Sequence, residues 1–242
     1  MKKQHVYSFA DGDGRDKKLL GGKGANLCEM TQIGLNVPPG FVITTEACLD
    51  YLEGDGLPDG LLDQVRGQIE KLEKATGKTF GTGPDPLLVS VRSGSALSMP
   101  GMMDTILNLG LNDETLKGVI EQTGDERFAY DAYRRFIQLF GKVALGIGDE
   151  HFDELFDAVK AREGVKADIG LSAENLKEIS EKFLAVVLRE TGSEFPQDVM
   201  LQLQLAIEAV FRSWMGKRAV DYRREFHITP EMANGTAVNV CT

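Results

Sequence analysis

Residues 87–111 join a strand pattern to a loop of small residues, and this combination restricts the fold more than any other feature of the chain. Apolar side chains alternate along the first residues, which predicts a strand with one buried face. Arg92 is predicted to end this strand, before a loop rich in serine and glycine, and residues 105–109 are predicted to return as a second strand. Such a loop lets backbone N–H groups approach a ligand closely, and a guanidinium offers a planar set of donors. The pattern suits an anion site, and a plain hairpin with a surface arginine is the other interpretation.

A second candidate anion site lies at the beginning of the first predicted helix, residues 24–33. Gly21, Gly22 and Gly24 lie at the entrance to this helix, and Lys23 stands among them. A helix N-terminus exposes unpaired N–H groups and the positive end of the helix dipole, to which a lysine adds a full charge. The P-loop pattern is absent, because no serine or threonine follows the lysine and the glycine spacing differs. Phosphate binding is one interpretation, and a glycine-rich turn with a solvated lysine is the other.

The remaining patterns predict an α+β fold in which a small mixed sheet packs against helices. Strands are expected near residues 5–9, 41–44, 87–92, 105–109 and 236–241, and helices over residues 24–33, 61–75 and 198–213. Leu201 is expected to widen the buried face of the last helix. Apolar residues at helical spacing, beginning with Phe128, predict an all-helical inserted subdomain over residues 113–195. The predicted domains are therefore 1–112 plus 196–242 for the α/β part, and 113–195 for the helical part.

Charge and cysteine content restrict the classes of partner. The chain has 37 acidic and 27 basic residues, a net charge of −10, which argues against a nucleic-acid or anionic membrane surface. No apolar run approaches the length that crosses a bilayer, and the N-terminus lacks the apolar segment of a secretory signal. Cys28, Cys48 and Cys241 show no metal-ligand spacing and no disulfide framework, which predicts reduced thiols in the cytoplasm. Acidic residues between 149 and 157 are interpreted as a solvated face, with a metal site as the alternative.

Three segments of the chain resemble the N-terminal nucleotide-binding region of the pyruvate, phosphate dikinase family. They are residues 19–48, 87–113 and 211–242. The resemblance extends over essentially the whole chain. The most specific stretch is SMPGMMDTILNLGLN at residues 98–112. The related phosphoenolpyruvate synthases continue differently after their own Arg-Ser, so the dikinase family is preferred.

The resemblance implies a fold that is the first part of an ATP-grasp domain, and a set of residues for ATP. The family enzyme converts ATP, phosphate and pyruvate to AMP, pyrophosphate and phosphoenolpyruvate with Mg²⁺, through a histidine that carries the phosphoryl group. Lys23 and Arg92 are thereby implied to contact the ATP phosphates. The other implied ATP-binding residues are Gly101, Met103, Asp104 and Thr105 in the loop, and Val240 and Cys241 in the last strand. Cys241 stands where the family has glutamine, so a backbone contact is expected there.

The resemblance also implies what this chain is expected to lack. The family's Mg²⁺-binding carboxylates, its phosphohistidine domain and its pyruvate-binding domain are expected beyond residue 242, so the chain alone is expected to be an inactive fragment. Its implied partners are ATP and those two domains, in a cytoplasmic homodimer with no nucleic acid and no membrane. Two alternatives stay open: a non-catalytic module that docks through residues 113–195, and an ATP-grasp kinase similar to phosphoenolpyruvate synthase.

Overall fold

The computed structural model describes residues 3–54 and 56–242 and has the predicted α+β fold. The strands are β1 (Val6–Ser8), β2 (Gly40–Ile43), β3 (Thr79–Phe80), β4 (Pro86–Leu87), β5 (Val89–Gly94), β6 (Thr105–Leu109) and β7 (Ala237–Cys241). The helices are α1 (Lys17–Gln32), α2 (Thr45–Glu53), α3 (Leu61–Thr76), α4 (Asp113–Thr123), α5 (Glu126–Val143), α6 (Glu150–Glu163), α7 (Ala173–Thr191), α8 (Val199–Ser213) and α9 (Lys217–Glu225).

Contacts divide the chain into two compact units. The sheet unit contains the residues up to Lys78 together with Val89–Thr105 and Ala206–Thr242. The helical unit contains Thr79–Leu88 and Ile106–Leu205. The domain boundaries at residues 112 and 196, which were inferred from composition, stay a prediction.

The sheet unit is built on antiparallel strands in the order β1-β2-β7-β5. β7 is the central strand, and its residues are apolar except for Asn239. Val238 and Val240 are completely buried. Helix α1 packs on one face of this sheet, where Ala25 and Cys28 join Val42 and Ala237 in the core. The last strand of the chain therefore forms the middle of the sheet, although it is the farthest in sequence from β1.

The strand predicted over residues 87–92 is divided in the structure. Leu87 belongs to β4, which pairs in parallel with β3 within the helical unit. β5 begins at Val89 and continues to Gly94, because its pairing with β7 extends through Gly94 opposite Ala237. The expectation that Arg92 ends the strand was therefore wrong, and Arg92 lies within β5 opposite Asn239.

The helical unit buries an aromatic core between its helices. Phe136 and Phe140 of α5 are buried, as are Phe152 of α6 and Phe183 of α7. Phe128, predicted as part of this core, is 53% exposed, because it lies in the first turn of α5 beside the buried face that begins at Ala129.

Leu201 is also more exposed than its position in the apolar pattern of α8 predicted, at 42%. The neighbouring Gln202 is completely buried instead. Its amide donates hydrogen bonds to the carbonyl oxygens of Leu111 and Pro196, at 3.0 and 2.8 Å. The inward position is thus occupied by a hydrogen-bonded amide. Over the residues described, helices long and apolar enough to cross a membrane are absent.

Candidate functional site

A cavity of about 630 Å³ lies between α1 and the loop that follows β5, entirely within the sheet unit. From α1 it is lined by Lys17, Gly22, Lys23, Asn26, Leu27 and Met30. From β5 and the loop it is lined by residues 93–101, Met103 and Thr105. The wall therefore combines two lysine side chains, hydroxyl groups and backbone with methionine and leucine side chains. Four of the residues implied for ATP, namely Lys23, Gly101, Met103 and Thr105, share this cavity.

A break in α1 at Gly21 places Lys23 beside β5. Gly21 has φ 69° and ψ 162°, so the helix restarts at Gly22 after a first turn that is capped by Asp16. A Cβ at Gly21 would lie 1.8 Å from the carbonyl oxygen of Gly94, so only glycine permits this approach. The N–H of Gly22 donates to the carbonyl oxygen of Ser95 at 2.9 Å. The predicted helix start is thus a restart inside a longer helix, and it is anchored to the end of β5.

Gly24 brings the restarted helix against the centre of the sheet. A Cβ at this position would lie 2.9 Å from Asn239 Oδ1 and from both methyl groups of Val42. Asn239 is completely buried, and its Oδ1 has no hydrogen-bond partner among the described residues. Its Nδ2 donates to the carbonyl oxygen of Arg92 at 3.5 Å. The asparagine therefore lies between the helix turn that carries Lys23 and the strand that carries Arg92.

The strand register brings Arg92 and Cys241 to the same face of the sheet. Residues directly opposite each other in an antiparallel pair point to one face, and the pairs here are Ser90 with Cys241 and Arg92 with Asn239. Arg92 Nε donates to Ser90 Oγ at 3.3 Å, and Ser90 Oγ lies 3.4 Å from Cys241 Sγ. Helix α1 packs on this face through Gly24.

Lys23 and Arg92 act on each other electrostatically. Burial and the nearby Arg92 guanidinium lower the pKa of Lys23, although its side chain still reaches solvent. Two like charges close together in a free protein are unfavourable, and an anion placed between them relieves the repulsion. The arrangement is therefore suited chemically to a polyanionic ligand.

Four residues implied for ATP lie outside the cavity wall: Arg92 and Cys241, described above, and Asp104 and Val240. Asp104 forms an ion pair with Arg218 of α9 at 3.0 Å. Val240 lies opposite Val91 and is completely buried, so its side chain is directed to the face away from Arg92. Asp104 and Val240 can still contribute backbone groups, and their role in binding stays a prediction.

Two polar residues near the cavity were not singled out by the sequence analysis. Asn26 lines the cavity and follows Lys23 by three positions, so both side chains lie on one face of the helix. This spacing could have identified Asn26 as a candidate site residue. Asn239 is a polar residue within an apolar strand segment, AVNVC, and an amide in such a position calls for an explanation.

Acidic residues of α6 and basic residues of α9 lie outside the wall of this cavity. Within residues 3–54 and 56–242, groups of three or more His, Cys, Asp or Glu side chains that could hold a metal ion are absent, including along α6. On α9, Lys217 and Arg224 pair with Asp221, and Arg218 pairs with Asp104. These basic residues thus contact acidic residues of the same chain. All three cysteines are free thiols.

Comparison with known proteins agrees with the resemblance. The family model "Pyruvate phosphate dikinase, AMP/ATP-binding domain" matches residues 17–76 and 56–242. Pyruvate, phosphate dikinase of Entamoeba histolytica is 58% identical over 98% of this chain and 27% of that protein. The Clostridium symbiosum enzyme is 51% identical over 98% of the chain and 27% of the relative. The chloroplastic dikinase 1 of Arabidopsis thaliana is 49% identical over 99% and 25%. The chain spans about a quarter of the length of these relatives, and it belongs to the pyruvate phosphate dikinase AMP/ATP-binding domain family.

Proposed function

We propose that this chain binds the phosphates of ATP in a pyruvate, phosphate dikinase. The observation that carries the proposal is that the Arg92 guanidinium is near enough to lower the pKa of Lys23, although the two residues come from segments far apart in sequence. The helix that carries Lys23 packs on the face of the sheet to which Arg92 belongs. The cavity beside them, with its small-residue loop, offers space and backbone groups for an extended anion. The family to which the chain belongs is described as AMP/ATP-binding, which gives the anion its identity.

The chemistry of phosphoryl transfer suits these residues. The negative charge of the triphosphate has to be neutralised and held in line, and a lysine and an arginine do this without entering covalent chemistry. We assign the phosphates to Lys23 and Arg92, and close backbone contact to Gly101 and its neighbours Met103, Asp104 and Thr105. Val240 and Cys241 are assigned to the adenine side through their backbone.

The reaction of the whole protein is a further part of the proposal. We infer that the full-length protein makes phosphoenolpyruvate from pyruvate, ATP and phosphate through a phosphohistidine, as an ATP-grasp enzyme with separate phosphohistidine and pyruvate domains. Mg²⁺ would neutralise phosphate charge when bound. The chain alone is proposed to have no turnover. A cytoplasmic homodimer completes the proposal, with the chloroplast, named for some relatives, as the alternative location.

The test is calorimetric titration of Mg-ATP into the full-length protein and into its Lys23→Ala and Arg92→Ala variants. Each variant is expected to bind at least about tenfold more weakly, which corresponds to about 1.4 kcal/mol. Histidine phosphorylation by ATP is expected to fall in parallel, because each variant removes one charge-stabilising contact. The matched controls are Lys177→Ala on α7 and Arg66→Ala on α3, which remove exposed cations outside the cavity. Both controls are expected to bind as the parent does, within about twofold.

Unchanged affinity and unchanged histidine phosphorylation in both site variants would remove Lys23 and Arg92 from the proposal. The docking-module alternative predicts a different result. In that case protein–protein binding would be insensitive to ATP and would be lost on changes in α4 to α7.

A further inference from the structure

We propose that Arg218 is a positioning residue that latches residues 98–104 along the cavity and thereby sets the affinity for the nucleotide. The identity of the ligand rests on the proposed function, whereas the latch itself can be measured without any ligand. Arg218 lies outside the cavity wall and 114 positions from Asp104 in sequence. Its effect would therefore be indirect, through the position of the loop.

One guanidinium holds the loop at two points. Arg218 Nη2 donates to Asp104 Oδ1 at 3.0 Å, and Nη1 lies 3.4 Å from the carbonyl oxygen of Gly101. The two accepting residues are three positions apart, so the contact fixes the orientation of the turn between them as well as its distance from α9. A planar fork of donors is suited to this kind of double contact, and a lysine is not.

The segment held in this way borders the cavity directly. Ser98, Met99, Gly101 and Met103 all line it. Within the segment the N–H of Met102 donates to the carbonyl oxygen of Met99 at 3.2 Å, and Gly101 has φ 72°. The segment is a turn outside helices and strands, so its position depends on contacts such as the one with Arg218.

The neighbouring cations of α9 make a different type of contact. Lys217 and Arg224 pair with Asp221 at spacings of four and three residues, within the helix itself. Arg223 stacks on Trp214, with its guanidinium carbon 3.8 Å from the ring centroid. Arg218 is thus distinguished among these residues by reaching the cavity loop.

The exposure of the pair predicts a weak and reversible latch. The Arg218 side chain is 64% exposed and that of Asp104 is 29% exposed. Ion pairs of this kind contribute little and are screened by salt, so we expect about a twofold to fivefold effect on affinity. A latch of this strength holds the loop in the free protein and still opens for a ligand to enter.

The test combines hydrogen exchange of the amides of residues 98–104 with Mg-ATP titration. Four variants are compared with the parent protein. They are Arg218→Ala, Asp104→Asn, the double variant that combines these two, and the charge exchange that combines Arg218→Asp with Asp104→Arg. We expect Arg218→Ala to accelerate exchange of the loop and to weaken Mg-ATP binding about twofold to fivefold. The double variant is expected to exchange no faster than Arg218→Ala, and the charge exchange is expected to restore part of the protection. Arg224→Ala is the matched control, because it removes an exposed arginine of the same helix that pairs within α9.

Two results would overturn the latch: unchanged exchange of residues 98–104 in Arg218→Ala, or effects of the two single variants that simply add in the double variant. A direct contact of Asp104 with the nucleotide would show as weaker binding in Asp104→Asn than in Arg218→Ala at equal loop exchange. If the parent protein does not bind Mg-ATP, the proposed function fails, and the exchange rates still decide the latch.

Discussion

At the scale of single residues, Lys23 gives the candidate site a characteristic pH dependence. Its pKa lies below the ordinary value, because burial and the Arg92 guanidinium disfavour the ammonium. A bound triphosphate would favour the charged form and raise the pKa, so binding takes up a proton at pH values between the free and bound pKa. Affinity for Mg-ATP is therefore expected to be constant well below the free pKa and to fall as pH rises through it.

Calorimetry in buffers of different ionisation enthalpy counts this proton directly. Proton uptake is expected to be larger at a pH value near the lowered pKa of free Lys23 than at a pH value well below it, where the ammonium is already formed. Lys23→Arg keeps the positive charge at both pH values, so the difference in uptake should disappear in this variant. Equal uptake at the two pH values in the parent protein would contradict the role given to Lys23.

Some residues of the candidate site could be predicted from the sequence, and others could not. Lys23 and Arg92 were singled out from short patterns, a glycine-flanked helix start and a small-residue loop, each of which is local in sequence. The cavity, the position of Asn239 and the pair of Arg218 with Asp104 depend on strand register and on contacts across more than a hundred residues. Local patterns carry no information on such pairings, so these features could not be predicted from one sequence.

At the scale of elements, two helical glycines predict opposite effects of the same substitution. Gly24→Ala would place a Cβ 2.9 Å from Asn239 Oδ1 and from Val42, so α1 has to move away from the sheet. We expect a loss of about 1–3 kcal/mol in the free energy of unfolding and weaker Mg-ATP binding, because Lys23 moves with the helix. Gly67→Ala on α3 is the matched control, since a Cβ there meets no atom of the described part of the chain within 4 Å. It is expected to stabilise by about 0.5–1 kcal/mol, as alanine does in a helix interior.

Urea denaturation of both variants measures the two free energies, and titration of Mg-ATP measures the effect on the site. A Gly24→Ala variant as stable as the parent would show that the close approach of α1 to the sheet is not required. Equal destabilisation by both substitutions would show instead that the chain tolerates no added methyl group in these helices.

Elements with strong periodicity were predicted more accurately than those defined by their partners. The helices expected at 61–75 and 198–213 are Leu61–Thr76 and Val199–Ser213, because an amphipathic pattern is contained in the element itself. The strand expected at 87–92 is two strands, because Leu87 pairs with Phe80 and Val91 with Val240. Both pairings produce the same alternation of apolar residues, so periodicity could not separate them.

At the scale of the whole molecule, the chain divides into two units, and a buried arginine tests the stability of the helical one. Arg134 is 4% exposed and forms ion pairs with Asp131 at 2.7 Å and with Asp168 at 3.1 Å. Its guanidinium also stacks on Phe156, with the guanidinium carbon 4.3 Å from the ring centroid. Arg135 contacts the same two carboxylates, at 2.9 and 3.5 Å, but its side chain is 55% exposed. The two arginines therefore share partners and differ in burial.

Arg134→Met is expected to lower the stability of the helical unit by about 2–3 kcal/mol, because removing one member of a largely buried ion pair costs far more than removing an exposed one. Arg135→Met is expected to cost about 0–1 kcal/mol. Hydrogen exchange resolved by residue measures both effects, and protection in Arg134→Met should fall most in Ile106–Leu205 and least in β2, β5 and β7. Equal losses in the two variants would mean that burial does not decide the strength of these pairs. A uniform loss over both units in Arg134→Met would mean that the chain unfolds as one cooperative body.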